Sequence, residues 1–297
     1  MRAVTLLVPF APGGASDIVA RAFSTRLGQK LGQPMVVENR PGANGQLAAR
    51  VLKRAAPDGH TLMVGSIGVF ALNSVLQRNP DYDPLVDFAP ITLAVTTPNV
   101  LVVNPEIVPV QSLSELIAWI KARPGQVFHA TSGIGSSPHL TMELFNQRTG
   151  TQATHVPSRG GANATMDVIA GTVQVAFQGL GSVVGAVRAG RLRALMVTAD
   201  RRSSLVPDVP HAAEAGLADF TVNSWQAVMG PAGIAAPLSD RIAAGITEVL
   251  RESAVAGVLE AGGYGVVGGT PAEYAAFQRA EVARWRAVAQ AANIVLD

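Results

Sequence analysis

The stretch Val4-Thr5-Leu6-Leu7-Val8-Pro9-Phe10-Ala11-Pro12-Gly13-Gly14-Ala15-Ser16-Asp17 decides the fold class. Val4 to Val8 is an apolar run of strand length, Pro and Gly then punctuate a turn, and Ser16 is a helix N-cap residue. Val19, Phe23, Leu27 and Leu31 follow at a spacing of four, which predicts one apolar face of a helix through about Leu31. Strand, tight loop and helix in this order form the repeating unit of an α/β protein. The start of a helix leaves backbone N–H groups without partners and adds the positive end of the helix dipole, so the loop suits an anion. It contains no Lys, Arg, His or nucleophile, which favours holding an anionic molecule over transforming it.

The same pattern recurs along the chain. Met35 to Glu38, a helix around Gln46 to Ala55, and Thr61 to Gly65 continue a β-α-β-α-β series, and a Pro-rich acidic stretch runs from Asn79 to Pro90. Val100 to Val103 then reads as a strand, and Ser112-Leu113-Ser114-Glu115 as a capping box opening a helix. A second series has strands near Val127 to Thr131, Thr154 to Val156, Val173 to Phe177 and Arg193 to Thr198. Two more glycine loops precede helices in this half: Ser132-Gly133-Ile134-Gly135-Ser136-Ser137-Pro138 and Pro157-Ser158-Arg159-Gly160-Gly161. An extended run from Phe220 to Met229, a helix from about Pro237 to Glu252, and a last helix opened by Thr270-Pro271-Ala272-Glu273 complete the chain. The alternation predicts parallel sheets in two doubly wound lobes. If the run at 224 to 231 crosses back, residues 1–99 and 225–297 form a discontinuous first domain, residues 100–224 form the second, and crossover strands near 98 to 105 and 224 to 231 act as a hinge. Ligands of open α/β sheets sit beyond the carboxyl ends of the strands, so all three glycine loops are candidates to face one cleft.

Composition narrows the function. With 48% hydrophobic and 15% charged residues in 297, the chain can build large cores, and no apolar run approaches the roughly 20 residues that span a bilayer. Residues 1–98 hold 9 basic and 6 acidic side chains, 99–224 hold 9 and 8, and 225–297 hold 5 and 7, so no segment gathers the positive charge that nucleic acid requires. The absence of cysteine excludes disulfides, thiolate metal sites and a Cys nucleophile. Neither of the first two glycine loops is a Walker A loop or fits the dinucleotide Gly-x-Gly-x-x-Gly pattern, and no organic cofactor is expected.

Individual side chains have competing readings. Asp17 either meets a ligand or complements the helix dipole. Ser136 and Ser137 suit a carboxylate as well as a helix cap, with ligand contact favoured. His139 lacks a visible Asp partner or Gly-x-Ser-x-Gly elbow, and His60, His129, His155 and His211 lack metal-ligand spacing, so structural roles are expected and no metal. Arg159 is either a solvated loop cation or a bidentate clamp for a carboxylate. Phe10 and Phe70 either flank a ligand or lie in the core. Gln178-Gly179-Leu180-Gly181-Ser182 follows a strand and precedes a helix, so it too can line a cleft.

The chain resembles the substrate-binding receptors of the tripartite tricarboxylate transporter family, often called Bug proteins in Bordetella. The resemblance covers nearly the whole length. It rests on Val8-Pro9-Phe10-Ala11-Pro12-Gly13-Gly14 with Asp17 and Ala20-Arg21, on Val37-Glu38-Asn39-Arg40-Pro41-Gly42-Ala43 with Gly45, and on Ala56-Pro57-Asp58-Gly59-His60-Thr61-Leu62. It continues through Ser132-Gly133-Ile134-Gly135-Ser136 with His139-Leu140, Gly190-Arg191-Leu192-Arg193-Ala194-Leu195, and Pro207-Asp208-Val209-Pro210 with Ala213-Glu214-Ala215-Gly216. One block departs: the family often has Tyr-Lys-Gly after the Val-Pro of the third loop, where this chain has Ser158-Arg159-Gly160.

The resemblance implies a type II periplasmic-binding-protein-like fold with two lobes closing on a small mono-, di- or tricarboxylate for a membrane permease. The chain is expected to be a monomer, not an enzyme, and periplasmic, with an export signal trimmed from its start. The first lobe is expected to supply Phe10, Pro12, Gly13, Gly14, Ala15 and Asp17, with Ser66, Ile67 and Val69. The second is expected to supply Ser132, Gly135, Ser136 and Ser137, then Arg159 and Gly160, then Gln178, Gly179 and Leu180. Two rivals stay open: an enzyme acting on a small anion, with Asp17, His139 and Arg159 as acid, base and clamp, and a receptor that presents its ligand to a membrane sensor kinase.

Overall fold

The computed structural model describes residues 2–158, 160–291 and 294. The chain divides into two compact units, Met1–Thr96 with Trp225–Asp297, and Thr97–Ser224. In the first unit β1 (Val4–Val8) leads through the first glycine loop into α1 (Ala15–Leu31), followed by β2 (Met35–Asn39), a 3-10 turn (Ala43–Gly45), α2 (Gln46–Lys53) and β3 (Thr61–Ser66). A π-helical turn (Gly68–Leu72) runs into the short α3 (Asn73–Leu76), and β4 (Phe88–Val103) carries the chain across the unit boundary. The second unit contains α4 (Leu113–Lys121), β5 (Phe128–Thr131), α5 (Ser137–Thr149), β6 (Thr154–Pro157), α6 (Gly161–Ile169), β7 (Val175–Gly179), α7 (Leu180–Arg188) and β8 (Arg193–Val197). The chain returns through β9 (Asn223–Pro231) and ends with α8 (Ala236–Arg251), α9 (Ser253–Ala261), β10 (Gly265–Val266) and α10 (Pro271–Ala291).

In the first unit β1 lies between β2 and β3, parallel to both, with Leu6 opposite Val37 and Leu62. In the second, β5 lies between β6 and β7, again parallel. The expectation of wholly parallel sheets is corrected elsewhere: β9 runs antiparallel to β3, β10 to β4, and β4 to both β7 and β8. The antiparallel partners are the strands that arrive from or leave for the other unit, where no helical crossover imposes a parallel direction.

The predicted face of α1 is the buried one. Val19, Phe23 and Leu27 pack with Leu6 and Val8 of β1, Leu62 and Val64 of β3, and Ile246 of α8. Each such side chain contributes roughly 1.5–3 kcal/mol on burial, and Phe23→Ala would cost about 3–5 kcal/mol. The second unit centres on Val100 and Val102 of β4, Ala130, Ala176, Val168 and Val183. Phe70 belongs to the core, edge-on to Phe88 with ring centroids 6.2 Å apart.

Two further expectations are corrected. The N-cap of α1 is Gly14, without a side-chain cap, rather than Ser16, whose hydroxyl donates instead to Gln226 Oε1 at 2.5 Å. The strand expected at Val100 to Val103 begins twelve residues earlier, at Phe88, and includes Pro90 and Pro98. Proline is excluded from a strand only where its missing N–H is needed by a ladder.

Candidate functional site

In the first unit the glycine loop is held by a polar knot built on Asp17. Asp17 is buried and accepts from Gly13 N–H at 2.9 Å, from Arg21 Nε at 2.9 and 3.0 Å, and from Asn39 Nδ2 at 2.9 Å. Asn39, the last residue of β2, also donates to Phe10 O at 3.1 Å and accepts from Arg21 Nη2 at 3.1 Å. Burial pushes the Asp17 carboxyl up, but the hydrogen bonds from Arg21, Gly13 and Asn39 outweigh it and hold the group below its ordinary value. The carboxylate is thus satisfied by the protein and shapes the loop from inside.

The loop backbone assigns its donors differently from a simple reading of the glycines. Gly13 N–H goes to Asp17 and Gly14 N–H to Ala11 O at 3.3 Å, while Gly14 O accepts from Ile18 N–H at 2.9 Å. The donors without intrahelical partners are therefore those of the first turn, beginning at Ala15. Gly13, at φ +81°, has the conformation that requires glycine, whereas Gly14, at φ −75°, does not. Phe10 is half-buried, and Pro12 lies exposed on the loop. Ser66 ends β3 opposite Gln226, while Ile67 and Val69 turn their side chains into the core, leaving backbone as what they can offer a ligand. Val69 O already accepts from Tyr82 Oη at 2.6 Å.

In the second unit the carboxyl ends of β5, β6 and β7 bring three predicted segments together. Ser132 Oγ donates to Gln178 Oε1 at 3.0 Å, and Gln178 Nε2 donates to Ala130 O at 3.4 Å. Gly161, the first residue of α6, faces this pair: a Cβ there would lie 2.9 Å from Ser182 Oγ and 3.3 Å from both Gln178 Oε1 and Ser132 Oγ. Gly160 (φ +120°) caps α6 and Gly179 caps α7, neither with a side chain; Leu180 is buried. Arg159 lies outside the described residues.

Ser136 and Ser137, favoured as ligand contacts, have structural partners. Ser136 Oγ caps α5, accepting from His139 N–H at 3.4 Å and donating to Gly133 O at 2.7 Å. Ser137 is buried, and its Oγ accepts from Asn99 Nδ2 at 2.9 Å. Gly135 N–H donates to His139 Nδ1 at 3.2 Å. Sequence reasoning missed Asn39, Asn99 and Gln226, which tie the loops from distant strands; nothing local marks them, because their partners are 18 to 210 positions away. Among the described residues, no group of three or more His, Cys, Asp or Glu is arranged to hold a metal ion, and no helix is long and apolar enough to cross a membrane.

Two α/β units, joined by strands that run from one into the other and each carrying helix N-termini at the carboxyl ends of parallel strands, define the periplasmic-binding-protein class of fold. The family model for the tripartite tricarboxylate transporter family receptor matches residues 19–294. Protein BugT of Bordetella pertussis is 36% identical over 288 residues, covering 97% of this chain and 88% of BugT. Among solved structures, a Rhodopseudomonas palustris protein with adipate is 34% identical with a TM-score of 0.91, covering 99% of this chain and 98% of its own. MatC from the same organism, with bound malate, is 34% identical with a TM-score of 0.86 over 97% and 99%. The chain belongs to the tripartite tricarboxylate transporter receptor family.

Proposed function

We propose that this chain is a periplasmic receptor that captures a small carboxylate and delivers it to the permease of a tripartite tricarboxylate transporter. The observation that carries this reading is that α1, α5, α6 and α7 all begin directly after the carboxyl ends of parallel strands. Their first-turn N–H groups have no intrahelical acceptors and lie at the positive ends of the helix dipoles, except that in α5 Pro138 has no N–H and that of His139 goes to Ser136 Oγ. Ser132, Gln178 and Ser182 add neutral polar atoms around Gly161. Such a set binds an anion without burying a fixed countercharge, and each hydrogen bond to a charged group is worth about 1.5–3 kcal/mol.

Adipate and malate, found on two relatives, are dicarboxylates, and a small dicarboxylate is the ligand class proposed here. Within the first unit the ligand set proposed from the sequence narrows to the backbone at Ala15 and beyond, with Asp17 acting on the loop rather than on the ligand. Arg159 is proposed as a clamp on a ligand carboxylate. The receptor acts as a monomer and leaves its ligand chemically unchanged.

Titration calorimetry with adipate, malate and monocarboxylates, with NMR of the ligand over hours, tests this. Stoichiometric binding of an unaltered carboxylate is expected. Multiple turnovers, or no binding by any of these anions, would overturn the reading.

A further inference from the structure

Three imidazole rings stack behind the second glycine loop. His139 of α5 lies on His155 of β6 with centroids 4.0 Å apart and planes 18° from parallel, and His155 lies on His129 of β5 at 5.0 Å and 20°. His129 and His139 are buried. Among the described residues neither ring nitrogen of His129 has a hydrogen-bond partner. The stack is wired to the loop at two points. His139 Nδ1 accepts from Gly135 N–H at 3.2 Å, which puts its ring proton on Nε2. His155 Nε2 is 2.7 Å from Thr131 Oγ1, which accepts from Gly133 N–H at 3.3 Å and is 3.2 Å from Gly133 O. Both glycine N–H groups of the turn therefore point inward to the stack or to the hydroxyl it holds; at the start of α5 Pro138 has no N–H and that of His139 goes to Ser136 Oγ, which leaves Ser137 N–H as the first-turn donor.

We propose that His139 is a positioning residue of the carboxylate site: unprotonated at Nδ1, it holds the Gly133–Ser136 turn in its anion-accepting shape, and a proton taken up there releases the turn and the ligand. The inference rests on the receptor reading above. A proton on Nδ1 makes it a donor facing the Gly135 donor at 3.2 Å, so attraction becomes repulsion. The titratable groups facing His139 are His155 in the stack, His129 beyond it, and Glu143 of α5, whose Oε1 is 4.0 Å from Nε2 of both His139 and His129. Burial, then the neighbouring His155 ring, holds His139 down to about 4, so the turn is set at neutral pH and opens only in acid. Burial alone pushes Glu143 up, in the direction that disfavours its charged form beside the stack.

The test has two arms. In ligand-free protein, NMR follows the exchange protection of the Gly135 amide, with the Val175 amide of β7 as a control for the fold. Protection of Gly135 is expected at pH 7 and lost as pH falls toward 4, before that of Val175. His139→Asn presents an acceptor near the position of Nδ1 and does not titrate, so it should restore protection and remove the acid response. His139→Phe should lose protection at every pH. In the second arm, calorimetry measures adipate or malate affinity at the same pH values, where the ratio of wild type to His139→Asn cancels the ligand's own protonation. His139→Phe is expected to bind about tenfold or more weakly at pH 7. The wild type should weaken relative to His139→Asn as pH falls. Gly135 protection that ignores both pH and His139→Phe, or an affinity ratio flat in pH, overturns the positioning role. Failure of the wild type to bind any small carboxylate overturns the receptor reading instead, whatever Gly135 does.

Discussion

Asp17 shows how a buried charge can shape a loop from within. Its oxygens take hydrogen bonds from a backbone N–H, a guanidinium and an amide, so removing the charge leaves donors unmatched in a buried place. Asp17→Asn is expected to cost about 1–3 kcal/mol in chemical denaturation, and a midpoint equal to that of the wild type would show that the knot carries no stability. The sign with pH follows from the lowered carboxyl. Its contribution is present in full above the unfolded-state value, 3.8, and is lost as pH falls through the lower folded value. Gly161 tests the second unit more directly, because any side chain there enters the Ser132, Gln178 and Ser182 cluster. Gly161→Ala is expected to weaken carboxylate binding by about tenfold while calorimetric melting stays near that of the wild type. Unaltered affinity would mean that this cluster is not part of the site.

The elements differ in how far local sequence determines them. Val4–Val8 forms where the apolar run predicts it, and Thr270 and Glu273 make the predicted reciprocal capping box, with Glu273 N–H donating to Thr270 Oγ1 at 3.2 Å and Thr270 N–H to Glu273 Oε2 at 2.7 Å. These signals are local, so they could be read. Ser16 could not, because its hydroxyl is taken by Gln226, a partner 210 positions away. The π-helical turn Gly68–Leu72 has every residue buried and hence no periodicity to detect. The glycine loops were legible as turns that open helices, but the histidine stack behind one of them was not. It assembles from three elements whose spacing matches no metal or catalytic pattern. It also predicts acid sensitivity. Burial, then like charge on neighbouring rings, holds His129 at about 3 and His139 at about 4, while burial alone holds His155 at about 4, all below the unfolded value of 6.5. The unfolded chain therefore binds protons first, and stability is full above pH 6.5 and falls as pH drops from there toward 4. Urea denaturation across this range should show the decline, and a triple His→Phe variant that falls as steeply as the wild type would place the loss elsewhere.

At the scale of the molecule, the unit boundaries at 96/97 and 224/225 fall within β4 and next to the second residue of β9, so each crossing is made by extended chain. Hinge closure concentrates large dihedral changes in a few residues, and these two crossings are where such changes are expected. Saturating carboxylate is expected to reduce the radius of gyration in small-angle scattering, and an unchanged radius at saturation would count against closure. The discontinuous first unit also imposes an order of assembly. Its strands β1 to β3 emerge first from synthesis, yet its interior is finished by the last helix: Gln278 Nε2 donates to Phe70 O at 2.8 Å, and Glu281 Oε2 accepts from Trp225 Nε1 at 2.9 Å and Trp285 Nε1 at 3.1 Å. The second unit, contiguous from Thr97 to Ser224, has its whole core in hand some seventy residues sooner. A growing chain thus holds its opening strands without their closing helix while the middle of the sequence is already able to fold.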